Sequence, residues 1–457
     1  MNPLAISKEE DLLFGTAPRP VTCGSGVEIG AGKVIPEINF TLPPMIIEDN
    51  TWGEVKTQYR EMLNGVCRRA VELHTPELVV EFEHLPPMTM KPDWGAELTA
   101  IMKEILSEYK AKEGLSSALR VTPVDIREGS RPARMRSGES LDHLMHSFEL
   151  CSKAGADLLS IESIGGKDLH DQALIQADLA GIIFSLAVLG VRDMRFLWSG
   201  IVEIADRNGI IAAGDTACAF ANTAMVLAEK GMLPRLLAAL VRVGSIVRSL
   251  EAYNQGALGP SKDCAYEGPF IKALTGVPIS MEGRTSACAH LSSVGNIASV
   301  ACDLWSNESI QNVYLLSGDA PVVSMEQLVY DCRLMNAAAE QGNDAIRRMQ
   351  SWCVDSDACY DSQAWVLRPD VVITIVKEIA NLDNPIEATI KGMQVTLELL
   401  QEAVKLERLQ VPAAELRWYE LFANQLLTIP IDAEALLGDV QSRFESDLFI
   451  WEEFAGG

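Results

Sequence analysis

Three residues that can ligate a metal follow short apolar segments that lie far apart in the chain. Glu162 ends ADLLSIE, Cys218 follows IIAAGDT, and Cys264 lies in the loop GPSKDCAYEG. Two thiolates and one carboxylate are ligands that Zn²⁺ accepts, and a catalytic zinc keeps three protein ligands and one open position. A cysteine more often packs as a small apolar side chain, so spacing alone leaves both interpretations open. If the three residues meet, they predict a zinc site for a small alcohol or thiol.

The segments that carry these residues belong to an alternating pattern of short apolar runs and amphipathic helices. Strands are predicted at residues 77–84, 119–126, 156–163, 182–190, 210–216, 276–283 and 313–319, with an uncertain stretch at 244–258. Apolar strands separated by helices indicate parallel β/α units. The predicted fold class is therefore α/β, a (β/α)₈ TIM barrel. The carboxyl ends of its strands would form the active site, so the three residues can converge at the mouth.

The pattern also divides the chain into three predicted regions. Residues 1–76, which begin with Gly- and Pro-rich sequence, are expected to form an N-terminal extension of irregular and helical structure. Residues 77–345 are expected to form the barrel that carries the zinc site. Residues 346–457 are expected to form a C-terminal helical region, because the strand pattern stops there and apolar residues recur at helical spacing.

Composition excludes some classes of partner. The chain has 457 residues, is 48% hydrophobic and carries a formal net charge of −25, which disfavours binding to nucleic acid or to anionic membranes. The longest apolar run, at 179–191, is shorter than the roughly 20 residues that a membrane span needs. Ten irregularly spaced cysteines and the opening MNPLAISKEEDLLFG, which lacks the pattern of a secretion signal, favour a reducing, cytoplasmic location.

Several segments resemble those of one known family, the zinc-containing methanol:corrinoid methyltransferase subunit. They occur in the same order and at similar distances, and the similarity runs from VEIGAGKVIPEINF through the predicted barrel and weakens in the C-terminal helices. The segments are ADLLSIESIGGK (156–167), GDTACAFANTAM (214–225), GPSKDCAYE (259–267), MEGRTSACAH (281–290) and DLWSNES (303–309). The resemblance implies a (β/α)₈ barrel with added helices, and zinc ligands at Glu162, Cys218 and Cys264.

The resemblance also implies a reaction. The methyl group of methanol would pass to the cobalt(I) of a corrinoid, and water would be released. The departing oxygen needs a proton, so Asp215, Asp263 or Lys262 is expected to supply it or to orient the zinc ligands. The family further implies a separate corrinoid-carrying partner protein, and a homodimer within the complex of the two proteins.

One segment bears on whether the chain could hold the corrinoid itself. Corrinoid carriers use Asp-x-His-x-x-Gly, and DLHDQA at 168–173 matches its first three positions, but Ala173 replaces the glycine. The glycine-rich segment that should follow is also missing. His170 is therefore interpreted as an ordinary polar residue near the start of a helix, and the corrinoid is expected on the partner.

Two other motifs favour structural explanations. Cys288 and His290 could ligate a metal, but the family does not use them, so packing or lining is favoured. The segment GSGVEIGAGK at 24–33 lacks the phosphate-loop pattern, because Val27 and Val34 occupy positions that need glycine and a hydroxyl residue. Its glycines are interpreted as turn residues.

Two alternatives to the methanol reaction stay open at this point. The same zinc chemistry could act on another methyl donor, such as a methoxy compound, a methylthiol or a methylamine. The chain could also be a non-catalytic subunit with a structural zinc, which four protein ligands usually enclose.

Overall fold

A nearly closed barrel of eight parallel strands lies at the centre of the part of the chain that the structure describes. The computed structural model covers residues 4–42, 45–283, 294–310 and 314–455. The strands are β1 Thr16–Cys23, β2 Val27–Ala31, β3 Ile35–Thr41, β4 Glu77–Glu83, β5 Ser116–Thr122, β6 Leu158–Ile161, β7 Ile211–Asp215, β8 Ser261–Asp263, β9 Ile279–Glu282, β10 Leu304–Ile310, β11 Tyr314–Leu315 and β12 Gly318–Asp319. The barrel order is β7–β6–β5–β4–β3–β10–β9–β8. Hydrogen bonds of 2.8 Å from the N–H groups of Leu258 and Gly259 to β7 bring the two edges together. The predicted α/β barrel is confirmed.

Helices surround the barrel and form most of the chain after residue 320. The helices are α1 Trp52–Glu72, α2 Pro86–Met90, α3 Pro92–Glu113, α4 Glu139–Ala154, α5 Lys167–Ile175, α6 Leu179–Ile183, α7 Val191–Asn208, α8 Cys218–Glu229, α9 Arg235–Gly244, α10 Ile246–Asn254, α11 Gly268–Thr275, α12 Ala320–Ala339, α13 Asn343–Asp357, α14 Ser362–Trp365, α15 Pro369–Ile379, α16 Pro385–Lys405, α17 Leu416–Leu426, α18 Ala433–Gln441 and α19 Trp451–Phe454. Within the ranges given above, none of them is long and apolar enough to cross a membrane.

Two of the predicted strands were wrong. Residues 182–190 are helical: α6 continues through the π-helical turn Phe184–Gly190 into α7. Every residue of that turn is buried, and a helix that is apolar on all sides cannot be distinguished from a buried strand by its sequence pattern. Of the predicted strand 313–319, the described residues 314–319 contain the short pair β11 and β12 in a separate sheet, whereas the barrel strand of this region, β10, lies earlier in the chain.

The barrel sheet also begins earlier than the sequence pattern suggested. Its strand β3 pairs in parallel with β4 and β10 and lies within residues 1–76, the segment expected to be an extension. The segment KVIPEINF was expected to be extended but was not assigned to the barrel, because Glu37 and Asn39 interrupt its apolar pattern, although both are buried in the folded chain. The uncertain stretch 244–258 is mainly helical, and β8 follows it.

The hairpin of β1 and β2 closes the amino-terminal end of the barrel. The N–H of Ser25, in its turn, donates a 2.8 Å hydrogen bond to the carbonyl of Ser117 at the start of β5. Gly24 has a positive φ of 54°, and a Cβ at this position would overlap the Ser117 carbonyl. Gly24 therefore serves a turn, as the sequence predicted, at the end of the barrel opposite to the carboxyl ends of the strands, whereas Gly30 lies within β2.

A buried ion pair crosses the barrel interior. The Nε of Arg120, on β5, donates to Glu37 on β3 at 2.7 Å, and both side chains are fully buried. Its Nη1 donates at 2.8 Å to the hydroxyl of Ser160 on β6 and to the carbonyl of Pro260, the residue before β8. The guanidinium of Arg120 thus links β5 to β3, to β6 and to the segment that precedes β8.

Replacing Arg120 tests how much the barrel depends on this pair. Arg120→Met leaves the buried Glu37 without its cation, with only the hydroxyl of Ser280 donating to it, so the free energy of unfolding should fall by about 3–5 kcal/mol, measured by urea denaturation. The control is Arg131→Met, because Arg131 is 55% exposed where it pairs with Glu445. The double variant Arg120→Met/Glu37→Met should recover part of the loss. A single variant as stable as the control would contradict this role.

Candidate functional site

Glu162, Cys218 and Cys264 meet at the carboxyl ends of three adjacent strands. One ligand atom from each residue lies within 4.8 Å of those from the other two. Glu162 directly follows β6, Cys264 directly follows β8, and Cys218 begins α8 just after β7. Because parallel strands all point their carboxyl ends toward the barrel mouth, residues 56 and 46 positions apart in the sequence become neighbours there.

The environment of the three residues differs from one to the next. The Cys264 thiol is buried and donates to Glu162 Oε1 at 3.6 Å. Cys218 and Glu162 are only partly buried. The amide Nδ2 of Asn222, one helical turn along α8, donates to the sulfur of Cys218 at 2.8 Å. The cluster is therefore packed on the Cys264 side and less enclosed on the other.

The electrostatics of the cluster keep the buried thiol protonated unless a cation binds beside it. Burial raises the pKa of the Cys264 thiol well above its ordinary value, and the neighbouring Cys218, Glu162 and Glu282 raise it further. A thiolate at this point needs a compensating positive charge, and a bound divalent metal supplies one. Two sulfurs and one carboxylate oxygen fit zinc better than calcium or magnesium, which take oxygen ligands.

Lys262 connects the cluster to the opposite barrel wall. Its side chain is 4% exposed, and its Nζ lies 3.0 Å from Glu162 Oε1, 3.0 Å from Glu83 and 3.3 Å from Glu81. Glu81 also accepts a 2.7 Å hydrogen bond from the hydroxyl of Thr122. The ammonium group therefore faces the same oxygen of Glu162 to which Cys264 donates.

Asp215 lies behind the cluster, against the backbone. Its carboxylate accepts hydrogen bonds from the N–H of Thr216 at 2.7 Å, the N–H of Ser163 at 3.4 Å and the indole of Trp198 at 3.2 Å. Burial raises its pKa to about 6, against the opposing effect of Arg248. These contacts brace the loops that carry Glu162 and Cys218.

The remaining candidates from the sequence lie elsewhere or cannot be described. The side chain of Asp263, and Cys288 and His290 entirely, lie outside the described part of the structure. His170 is fully buried in α5, with its ring packed edge-to-face on Phe220 at 5.1 Å between centroids. It is not a member of the ligand cluster.

Sequence reasoning missed the residues that support the cluster from behind. Arg248, Ser249 and Glu267 are all buried, and each forms hydrogen bonds to the loops that carry the three ligands or to one another. Arg248 and Ser249 lie within the stretch 244–258, where the sequence pattern was ambiguous. One signal was available in the sequence, namely a charged residue among the apolar positions of a helix. Such a residue is rarely buried without a partner for its charge, so it indicates that a partner lies nearby.

Comparison with known proteins agrees with this fold. The family model described as methanol-cobalamin methyltransferase B subunit matches residues 1–454. The chain is 35% identical over 453 residues to the methanol–corrinoid protein co-methyltransferase of Methanosarcina barkeri, covering 98% of this chain and 97% of that protein. It also superimposes with a TM-score of 0.93 on a crystal structure of the methanol:cobalamin methyltransferase complex MtaBC from Methanosarcina barkeri, at 34% identity over 99% of this chain and 98% of that one.

These matches span nearly the whole chain and confirm the methanol–corrinoid methyltransferase family that the motif segments predicted. The matched region includes the C-terminal helices. The chain is a methyltransferase and belongs to the methanol-cobalamin methyltransferase B subunit family.

Proposed function

We propose that the chain transfers the methyl group of methanol to the cobalt(I) of a corrinoid on a partner protein, with a zinc ion held by Glu162, Cys218 and Cys264. The observation that carries this proposal is the approach of these three ligand atoms to within 4.8 Å of one another at the barrel mouth. The Methanosarcina barkeri proteins compared above have methanol and a corrinoid or cobalamin in their names.

The number of ligands favours a catalytic zinc over a structural one. Among the described residues, the cluster contains three potential ligands, whereas a structural zinc is usually enclosed by four. The fourth position would be available to methanol. When bound, zinc would act as a Lewis acid that polarises the methanol oxygen and makes it a better leaving group.

The reaction balances with one added proton. Cobalt(I) provides the electron pair of the new cobalt–carbon bond, the carbon–oxygen bond breaks with its pair on oxygen, and a proton completes water. Of the three residues expected to assist, Lys262 and Asp215 are proposed to orient the ligands. Lys262 lies 3.0 Å from Glu162 Oε1, and Asp215 contacts the backbone beside it. Asp263 remains a candidate for either role.

The corrinoid is proposed to be carried by the partner, which would cover the barrel mouth. His170, the one residue whose motif suggested cobalt ligation, is fully buried against Phe220 and cannot reach an external ligand without local unfolding. A homodimer of the enzyme within the complex and a cytoplasmic location remain part of this proposal.

The first test removes one ligand. Cys218→Ala should lower bound zinc from about one per chain to near zero, and methyl transfer should fall by more than about 100-fold, beyond the effect of changes outside the ligand set. Zinc is measured by mass spectrometry, and methylation by the visible spectrum of the corrinoid. Cys67→Ala, at a buried cysteine of α1, is the control and should retain zinc.

The outcome of that test separates the alternatives. Methyl transfer that persists after zinc is removed would contradict the proposal. Zinc binding without methanol-dependent methylation, but with methylation from a methylamine, a methylthiol or a methoxy compound, would indicate another methyl donor. Zinc binding with no methylation from any donor would favour a structural zinc.

A buried carboxyl group beside Lys262 should make stability depend on pH. Burial raises the pKa of Glu81 to about 7, with Lys262 opposing the shift. The folded chain therefore binds a proton more tightly than the unfolded chain, so this contribution to stability is present below about pH 4.3 and is lost as pH rises through about 7.

Glu81→Gln removes this dependence. Between pH 5 and pH 8, the free energy of unfolding of the wild type should fall relative to that of the variant, by up to about 1.4 kcal/mol per pH unit, as measured by urea denaturation. Glu113→Gln, at an exposed position, is the control and should keep the wild-type profile. Identical profiles for wild type and Glu81→Gln would contradict the assignment.

A further inference from the structure

One buried arginine contacts the backbone of two of the three ligand-bearing loops. Arg248, on α10, has a fully buried side chain. Its Nη2 donates to the carbonyl of Ser163 at 2.6 Å, and Ser163 is the residue after Glu162. Its Nη1 donates to the carbonyl of Thr216 at 3.3 Å, two residues before Cys218. A single guanidinium thus spans the gap between the β6 and β7 loops.

The next residue along α10 extends this connection to the third loop. The hydroxyl of Ser249 donates to Glu267 Oε1 at 2.7 Å, and the same oxygen accepts a 2.7 Å hydrogen bond from the N–H of Ala217. Ala217 precedes Cys218, and Glu267 lies three residues after Cys264. The carboxylate therefore ties the Cys218 loop to the segment that carries Cys264.

Asp215 completes the arrangement between the first two loops. Its Oδ1 accepts from the N–H groups of Ser163 and Thr216 and lies 3.8 Å from Nη1 of Arg248. Ser163 and Thr216 are therefore held at both main-chain groups, the N–H by the carboxylate and the carbonyl by the guanidinium. An arginine suits this position because its rigid fork presents several donors in one plane, which a lysine cannot do.

We propose that Arg248, together with Ser249 and Glu267, sets the spacing of the three ligands; all three are positioning residues. This inference rests on the proposed zinc site. Two thiols have to lose their protons to bind a metal, and the resulting thiolates and the carboxylate repel one another, so loops that were free to separate would have to be held together at that step. Loops held in place beforehand spare that ordering cost and slow the loss of the metal.

If Arg248 only stabilised the fold, its replacement would lower stability without a specific effect on the metal. Another buried cation of the chain provides a matched control for that case. Lys272 is also a fully buried cation, and its Nζ donates to the carbonyls of Leu13 and Ala301 and to Asp303, each at 2.9 Å. Ala301 and Asp303 precede β10, so this group lies at the amino-terminal end of the barrel, away from the ligands. Lys272→Met should lower stability without affecting a metal at the mouth.

The test measures the metal directly in the full-length chain. Zinc-loaded wild type, Arg248→Met, Arg248→Lys and Lys272→Met are mixed with a chromogenic chelator, and the rate of zinc release is followed. Cobalt(II) is then substituted for zinc, and its visible absorption, including the thiolate-to-cobalt bands, reports the ligand geometry. Circular dichroism and thermal unfolding confirm that each variant is folded.

We expect Arg248→Met to release zinc about 10–100-fold faster than wild type and to shift the cobalt(II) bands. Arg248→Lys keeps the charge but not the planar guanidinium, so its rate of zinc release should lie between those of wild type and Arg248→Met. Lys272→Met should unfold at a lower temperature with the wild-type release rate and spectrum. Folded Arg248 variants whose release rate and spectrum match those of wild type would overturn the inference.

A second pair of variants keeps the test decisive if the Arg248 variants do not fold. Glu267→Ala removes the acceptor shared by Ser249 and Ala217, whereas Glu267→Gln keeps an oxygen there. Faster zinc release in the first and near-normal release in the second would support the inference, and equal release in both would overturn it. Cys218→Ala separates the two proposals. If Cys218→Ala weakens zinc binding and the Arg248 and Glu267 variants do not, the zinc site stands and the positioning role is wrong. If Cys218→Ala leaves zinc binding unchanged, the proposed zinc site itself fails.

Discussion

Three candidate donor groups lie within 4.8 Å of one another, and the repulsion that they would exert as two thiolates and a carboxylate is the constraint that the surrounding structure has to meet. Lys262 opposes it from inside the barrel, 3.0 Å from Glu162. Arg248 opposes it from behind, through the backbone carbonyls of the loops. Both cations are buried, where charges interact more strongly than they do in water. The cluster is thus held by groups other than the ligands themselves.

The barrel interior belongs to the same arrangement. A TIM barrel is normally filled with branched apolar side chains, but here an arginine and a glutamate occupy its centre. Arg120 reaches from β5 to the carbonyl of Pro260, so the strand that leads to Cys264 is tied to the far wall. A hydrogen-bonded interior of this kind fixes the position of each strand relative to the others more closely than apolar packing alone, because its partners must meet at defined angles.

The two ends of the barrel differ in the kinds of side chain that they contain. At the amino-terminal end, a small apolar cluster that includes Val27 and Ile29 packs beneath the strands, and the turn at Ser25 bonds to β5. At the carboxyl end, ionisable groups such as Glu81 and Lys262 gather around the ligands. The first end is closed by apolar packing, whereas at the second end Glu162 and Cys218 are only partly buried, on the side from which the proposed corrinoid carrier would approach.

The sequence by itself determined the chemistry of the donors, the alternation of strands and helices, and the family. Those features are local: a residue type, a period of apolar positions, or a motif of a few residues. It could not separate the buried helical turn Phe184–Gly190 from a strand, because both are apolar throughout. It also left β3 out of the barrel, because the buried charge of Glu37 is compensated by Arg120, a partner that the local sequence does not reveal.

Only the tertiary structure decided which residues support the ligands. Arg248 lies 86 positions from Glu162, and nothing in its local sequence links the two residues; Glu267 ends the motif segment GPSKDCAYE, but that segment does not reveal its partners Ala217 and Ser249. The physical reason is that a hydrogen bond depends on where two groups lie in space, and the closure of the barrel, with α10 packed behind it, fixes those places. The sequence therefore shows which residue types are present, whereas the partner of a buried charge can be identified only from the folded structure.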